Sequence, residues 1–237
     1  MKVVITGTSQ GIGREAAKAF VSMGHEVFGL DKEPATIEGE KYVHCICDVS
    51  KPETLPDILG VDIVVNNAGT IDEAEAIDTN LVGYINVVEK YCFQKKLKCL
   101  INVASISGHV GLDTMRYAAS QGGRLALSKH LAITLGNAYG ARVVSISPGA
   151  VLTNLEPNLY KSEKLVKAVA NENLLKKWIT PNEIAQWIYF VACVDKSMTG
   201  QDILIDNGEV ANYNFISSKE DADDEGSNAD TSVDAGK

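Results

Sequence analysis

One short run dictates most of what this chain can become: Thr6-Gly7-Thr8-Ser9-Gln10-Gly11-Ile12-Gly13, set between a short apolar stretch (Val3 to Ile5) and an amphipathic one (Ile12 to Met23). Glycines where a strand gives way to a helix permit a tight turn. They also let the backbone approach a pyrophosphate and leave the N-terminal N–H groups of the helix facing its negative charge. Gly7, Ser9, Gln10, Gly11, Ile12 and Gly13 are therefore candidate contacts of a dinucleotide. Asp31, at the end of the second apolar run, lies eighteen residues past Gly13. A carboxylate there accepts hydrogen bonds from the adenosine ribose and repels a 2′-phosphate, so NAD is expected in preference to NADP, with the neighbouring Lys32 softening that choice.

The rest of the chain repeats the same alternation. Strands are expected over Val3 to Ile5, Glu26 to Leu30, Tyr42 to Ile46, Asp62 to Val65, Cys99 to Val103, Arg142 to Ile146 and Asp202 to Ile205. Most are continuous apolar runs, as in strands buried on both faces. Helical spacing marks Ile12 to Met23, Glu73 to Gln94, Met115 to Tyr139 and Asn182 to Val194, the last opened by Pro181. The expected fold is an α/β single domain over residues 1–216, a doubly wound, Rossmann-type parallel sheet of about seven strands with helices on both faces. Two connections are short: Ser50 to Val61 has room for one small helix at best, and Gly69 to Asn80 is as brief.

Of the formal charge of −9 on 237 residues, −5 belongs to residues 217–237, read as an acidic disordered tail, which leaves −4 on the body. A body without a basic stripe argues against nucleic acid or a membrane as partner. No apolar run reaches the roughly 18 residues of a membrane span, and MKVVITG lacks a signal-peptide core, so a cytoplasmic location is expected. The five cysteines stand at unrelated spacings and read as reduced thiols, and no spacing of Cys, His or acids suggests a metal site.

Further motifs follow in order: Asp48-Val49, Asn66-Asn67-Ala68-Gly69, Asn80-Leu81-Val82-Gly83, Ser105 after the fifth strand, Tyr117 opening a helix, Pro148-Gly149-Ala150-Val151-Leu152-Thr153, Thr199-Gly200-Gln201 and Asp206-Asn207-Gly208. With TGTSQGIG, this series from Thr6 to Gly208 resembles the short-chain dehydrogenases/reductases. The resemblance implies a single-domain NAD(P)-dependent oxidoreductase acting on a small carbonyl or alcohol. It implies cofactor contacts at Asp48, Val49, Asn67, Ala68, Gly69, Tyr117, Gln121, Pro148, Gly149, Val151 and Thr153. It places Ser105 as the donor that orients the substrate oxygen, with Ser107 as an alternative, and Tyr117 as the proton donor. Asn80 is placed as a polar anchor for a water or a helix bend. Homodimers or homotetramers built on the helices over Glu73 to Gln94 and Met115 to Tyr139 are implied as well.

One position departs from the pattern. The family has YxxxK, whereas here Tyr117 is followed four residues on by Gln121. Residues four apart share a helix face, so a glutamine amide can still reach ribose hydroxyls, but without charge. A unit charge about 4 Å from a phenolate at an effective dielectric near 20 is worth about 4 kcal/mol, or about three pKa units. Without it a tyrosine stays near its ordinary value of about 10, ionised in about one part in a thousand at pH 7. Alcohol oxidation, which needs a general base, suffers most, while carbonyl reduction starts from the neutral phenol.

Arg124 and Lys129 can share part of that face. Arg124 stands where the family usually has an apolar residue and is expected instead at a subunit contact. The segment 154–179, with Leu155, Leu159, Tyr160, Val169 and Trp178, reads as an apolar lid suited to an uncharged, fairly hydrophobic substrate. His109 and Met115 stand in or beside the loop before Tyr117, within reach of a substrate. Two readings stay open: a weakened or reduction-biased enzyme, or a non-catalytic dinucleotide-binding or interaction protein on the same scaffold.

Overall fold

A computed structural model of the chain describes residues 1–153 and 162–212. Seven strands form one parallel sheet: β1 (Lys2–Thr6), β2 (Glu26–Asp31), β3 (Tyr42–Ile46), β4 (Ile63–Asn66), β5 (Cys99–Val103), β6 (Arg142–Pro148) and β7 (Gln201–Ile205). They lie in the order β3-β2-β1-β4-β5-β6-β7. The chain winds outward from β1 in one direction and then, from β4, in the other, so the carboxyl ends of β1 and β4 flank the switch point where such sheets bind ligands. The expected doubly wound α/β architecture is the one observed.

Alternate residues of each strand feed opposite layers, because strand side chains point to the two faces in turn. Val3, Ile5, Ile63, Val65, Cys99 and Ile101 pack with Ala16, Ala17 and Phe20 of α1 (Gly11–Ser22) and with Ile184 and Ile188 of α6 (Pro181–Tyr189). Val4, Val64, Leu100 and Val143 pack on the other face with Tyr84, Val87 and Tyr91 of α2 (Gly83–Tyr91) and Leu131 and Leu135 of α4 (Met115–Tyr139). The inner runs β1, β4, β5 and β6 are thus strands with almost no solvent face, whereas the edge strands β3 and β7 leave Val43, Ile46 and Leu204 exposed.

Caps explain several boundaries. Thr180 accepts from the Glu183 N–H while Glu183 accepts from the Thr180 N–H, a reciprocal capping box, and Pro181 fills the first helical position where no N–H is needed. The helix then runs through a π turn at Phe190–Val194. The 50–61 connection holds one 3-10 turn at Pro52–Thr54, consistent with its length.

The helix expected over Glu73 to Gln94 is shorter and interrupted: Asp72 closes a turn by accepting from the Ala74 N–H, helical backbone starts at Ala76, a π turn occupies Asp78–Val82, and α-helix resumes from Gly83 to Tyr91. Gly83 lies close against the loop after β3, since a Cβ there would stand 2.7 Å from Val49 Cγ2. Of the expected lid, residues 154–161 lie outside the described residues, as do residues 213–237 with the expected acidic tail. The remainder forms α5 (Glu163–Glu172), tied down by Trp178, whose indole N–H donates to the Val166 carbonyl.

Candidate active site

A cavity of about 800 Å³ opens over the carboxyl ends of the strands, within the range that holds small ligands and cofactors. One end is backbone. Gly7 (φ +74°) turns the chain out of β1, and a Cβ there would meet Asn67 Nδ2 at 2.8 Å; one on Gly13 would meet the Gly7 carbonyl oxygen at 2.1 Å. Side chains are excluded at both, so the loop lies flat against β4. The Thr6 hydroxyl accepts from the N–H groups of both Asn67 and Ala68, and Asn67 Nδ2 donates back to the Thr6 carbonyl. Helix α1 starts at Gly11 with no side-chain cap on Gln10 and no acid in its first turn. Its free N–H groups and positive dipole end therefore have no internal anion to satisfy them.

Gln10, Gly11, Ile12, Asp31, Asp48, Val49, Asn67, Ala68 and Gly69 all line the cavity, as expected. Ser9 and Gly13 do not. Ser9 works from behind: its N–H donates to Asp31 Oδ2 at 2.8 Å, and its hydroxyl is held by the Glu33 and Pro34 carbonyls. Asp31 also accepts from the Glu33 N–H, which holds its carboxylate at the rim beside Lys32. Asp48 is burdened by burial, but Ser50 and Lys51 outweigh that and hold its carboxyl below the usual range.

The other end is made of residues from three elements. Ser105 and Ser107 follow β5, Tyr117 and Gln121 stand on α4, and Pro148, Gly149, Val151 and Thr153 leave β6; all line the cavity. The Ser105 hydroxyl donates to Ser107 Oγ at 3.2 Å, and Ser107 donates to Asp113 in turn. The start of α4 is held by Glu73, which accepts from the Arg116 N–H; Thr114 and the N–H groups of Arg116 and Tyr117 hold its carboxyl below the usual range. Gln121 is 3% exposed, and its Oε1 has no hydrogen-bond partner among the described residues. A buried acceptor of that kind is costly unless a ligand satisfies it.

Asn80 is fully buried and does not line the cavity. Its Oδ1 accepts from the Thr70 N–H, and its Nδ2 donates to the Thr70 carbonyl and to Ser120 Oγ. It therefore fastens the loop after β4 to the π turn, the helix-bend role of the two expected.

Arg124 is the residue that sequence reasoning misplaced. It is 2% exposed rather than at a subunit contact, and its guanidinium reaches the cavity wall. Nε donates to the Asn80 carbonyl at 2.5 Å, Nη1 to Val103 at 2.5 Å and Nη2 to Ala68 at 2.6 Å. Burial lowers it to about 10, opposed by Tyr117 and Tyr84, so it stays charged at neutral pH. The available signal was its spacing, since positions 117, 121 and 124 share one helix face. Lys129, by contrast, is exposed, and His109 is turned to Asp202 Oδ2 at 2.8 Å.

Toward the substrate end the wall mixes Ile71, Leu112, Val169 and Trp178 with the acids Asp113, Glu172 and Glu209. Glu209 accepts from the Ala150 N–H, yet burial and the carboxylates of Asp206, Glu172 and Asp113 raise it above its ordinary value.

These features fit a nicotinamide dinucleotide: an uncapped helix terminus and glycine cradle for the pyrophosphate, a carboxylate for a ribose, and an orphaned amide oxygen for the second ribose. No helix among the described residues is long and apolar enough to cross a membrane. A family model described as enoyl-(acyl carrier protein) reductase matches residues 7–209. An uncharacterized short-chain type dehydrogenase/reductase of Sinorhizobium fredii is 30% identical over 236 residues, covering 87% of this chain and 43% of its own length, so the chain spans under half of that relative. D-xylose 1-dehydrogenase of Caulobacter vibrioides is 32% identical over 236 residues, covering 87% of this chain and 94% of that protein. Among solved structures, a 4-hydroxyisoleucine dehydrogenase mutant complexed with NADH and succinate superposes with a TM-score of 0.81 at 27% identity, over 90% of this chain and all of that one. Sequence, cavity and relatives agree, and the chain belongs to the short-chain dehydrogenase/reductase family of oxidoreductases.

Proposed function

We propose that this protein is an NAD(H)-dependent oxidoreductase that interconverts a small, uncharged, mostly apolar carbonyl compound and its alcohol. The observation that carries the reading is the convergence of Ser105, Tyr117 and Gln121 on one wall of the cavity that the glycine cradle opens. When bound, the nicotinamide supplies or accepts the hydride. The chain's own residues do the rest. Ser107 donates to Asp113, and Ser105, whose 3.2 Å bond to Ser107 Oγ is the weaker of the two, would exchange it for the substrate oxygen. Tyr117 passes its proton to that oxygen in reduction and takes one in oxidation. Gln121 Oε1 accepts from a ribose hydroxyl and orients the ring, and Asn80 holds the loop beneath them.

Asp31 at the rim supports NAD over NADP. The apolar lining with three acids, beside an Arg124 whose guanidinium is already engaged by three backbone carbonyls, supports an uncharged substrate over a carboxylate or phosphate. Because Gln121 is neutral, reduction is the favoured direction. Met115 and Ile133 of α4 and Val82 and Phe93 flanking α2 are exposed apolar side chains, which supports a homodimer or homotetramer on these helices. Five unpaired cysteines, with burial raising the thiols of Cys47, Cys92 and Cys99, support a reducing compartment such as the cytoplasm.

The test is NADH and NADPH consumption against a panel of ketones, aldehydes and sugars, beside calorimetric titration with each cofactor. The expected result is micromolar NADH binding with turnover of at least one neutral carbonyl. Binding without turnover of any panel member would favour the second reading, a dinucleotide-binding protein without catalysis.

A further inference from the structure

A full positive charge lies beneath the site with no acid to neutralise it. Arg124 forms no ion pair with a carboxylate among the described residues; its three described hydrogen bonds all go to backbone carbonyls, and its guanidinium stacks 5.7 Å from the centroid of the Tyr84 ring. Burying a charge that way is unfavourable unless something else compensates it. The three carbonyls belong to three separate segments, Ala68 after β4, Asn80 in the π turn and Val103 at the end of β5, so the fold is arranged around this side chain. Gly69 and Gly123 make room for the arrangement: a Cβ on Gly69 would stand 3.1 Å from Asn80 Oδ1, and one on Gly123 would stand 2.9 Å from Leu81 Cδ1.

Tyr117, Gln121 and Arg124 follow one another on one face of α4 and all three reach the cavity. We propose that Arg124 is the positioning cation of Tyr117, supplying from the seventh position along the helix the positive charge that Gln121, at the fourth, does not carry. In reduction the substrate C=O π bond opens as its carbon takes the hydride. Its oxygen takes the proton of Tyr117, which is left as a phenolate facing the guanidinium; a proton from solvent later restores the phenol. In oxidation the same phenolate is the base, and the guanidinium favours its formation. A delocalised charge already shared by three carbonyls recovers part of what a lysine would provide, so oxidation is slowed rather than abolished.

The surrounding titratable groups do not offer the same help. Glu73, Glu75 and Asp78 from the segment before α2, Asp113 from the α3–α4 loop (α3, Ser107–Val110), Glu172 from α5 and Glu209 after β7 are acids that oppose a phenolate. Arg116 is next to Tyr117 but exposed, and Lys32 and Lys51 line the far, adenosine end. Tyr84 is the other titratable group on Arg124, and burial drives it well above its ordinary range, so it takes no charge from the guanidinium.

The inference rests on Tyr117 as the proton donor, but its test needs no substrate. Tyrosine ionisation is followed by ultraviolet difference absorbance over a pH titration of the full chain, wild type against Tyr117→Phe. Tyr42, Tyr84, Tyr91 and Tyr189 are all shifted upward, which clears the window below their ordinary range. The expected result is a Tyr117 step at least about one unit below tyrosine's ordinary value of about 10, or about tenfold more phenolate at pH 8. Arg124→Lys should keep the step low, and Arg124→Met should return it to about 10 or above; Arg124→Gln, which retains donors for the carbonyls, serves if the methionine variant does not fold. A wild-type step at or above about 10, or a folded neutral variant with an unmoved step, overturns the proposal. A low step without turnover of any carbonyl sinks the catalytic reading and leaves this one standing; turnover with a step near 10 sinks this one alone.

Discussion

The two ends of the cavity are built from different material. At the β1–β2 end the wall is backbone: a left-handed Gly7, a Gly13 with no space for a methyl group, and the uncapped start of α1. At the β4–β6 end it is side chains: Ser105, the Tyr117 at the helix start that Glu73 holds, Arg124 on its carbonyls, and Gln121 with its Oε1 unsatisfied. A backbone cradle has few chemical variants, because any added Cβ collides with it. The side-chain wall has more room for exchange, and on our proposal the neutral Gln121 is accommodated because Arg124 supplies the charge.

Substitutions can break this contrast. The largest effect is expected for Tyr117→Phe, which removes the proton donor and should lower kcat by about 10² to 10⁴-fold while NADH affinity measured by calorimetry stays within about threefold. Gly13→Ala should do the reverse. Overpacking against the Gly7 carbonyl should cost about 1–3 kcal/mol in urea unfolding and weaken NADH binding strongly. Arg124→Met should cost about 3 kcal/mol or more, because three buried carbonyls lose their donor at once, with the urea midpoint as the readout.

Smaller effects test the rims. Asp31→Ser should shift the ratio of kcat/KM for NADH over NADPH by about tenfold or more toward NADPH, since the carboxylate that repels a 2′-phosphate is gone while Lys32 remains. Thr180→Ala removes a helix cap rather than a cavity-lining side chain and should cost only about 1 kcal/mol. It also bears on acid stability. The Thr180 N–H, Lys177 and the Thr180 hydroxyl hold Glu183 down at about 2, below its unfolded value of 4.5. Its contribution is therefore complete above about 4.5 and is lost as pH falls toward about 2. Because the Glu183 side chain is 40% exposed, that contribution is small and salt-sensitive, and Thr180→Ala, which removes the hydroxyl but keeps the N–H and Lys177, should reduce it in thermal melts between pH 5 and pH 2.5.

Legibility followed the same division. Strand positions, the glycine turn and the acid after β2 are local patterns, and the structure places them within a residue or two of expectation. The helix expected from Glu73 starts at Ala76 and carries a π turn because Asp72 and Asn80 spend side-chain hydrogen bonds on a turn and on Thr70, competition that apolar periodicity does not register. Arg124 failed for a related reason. Periodicity showed which face it occupies but not that three carbonyls from Ala68, Asn80 and Val103 would converge there to accept it.

The sequence by itself therefore determined the doubly wound sheet and the dinucleotide cradle, because both depend on short-range rules: period-two burial, glycine at left-handed turns and helix termini that attract anions. Only the tertiary structure decided where the site keeps its positive charge. A long polar side chain is buried or exposed according to the partners that distant segments bring to it, and those partners are backbone atoms that every sequence possesses.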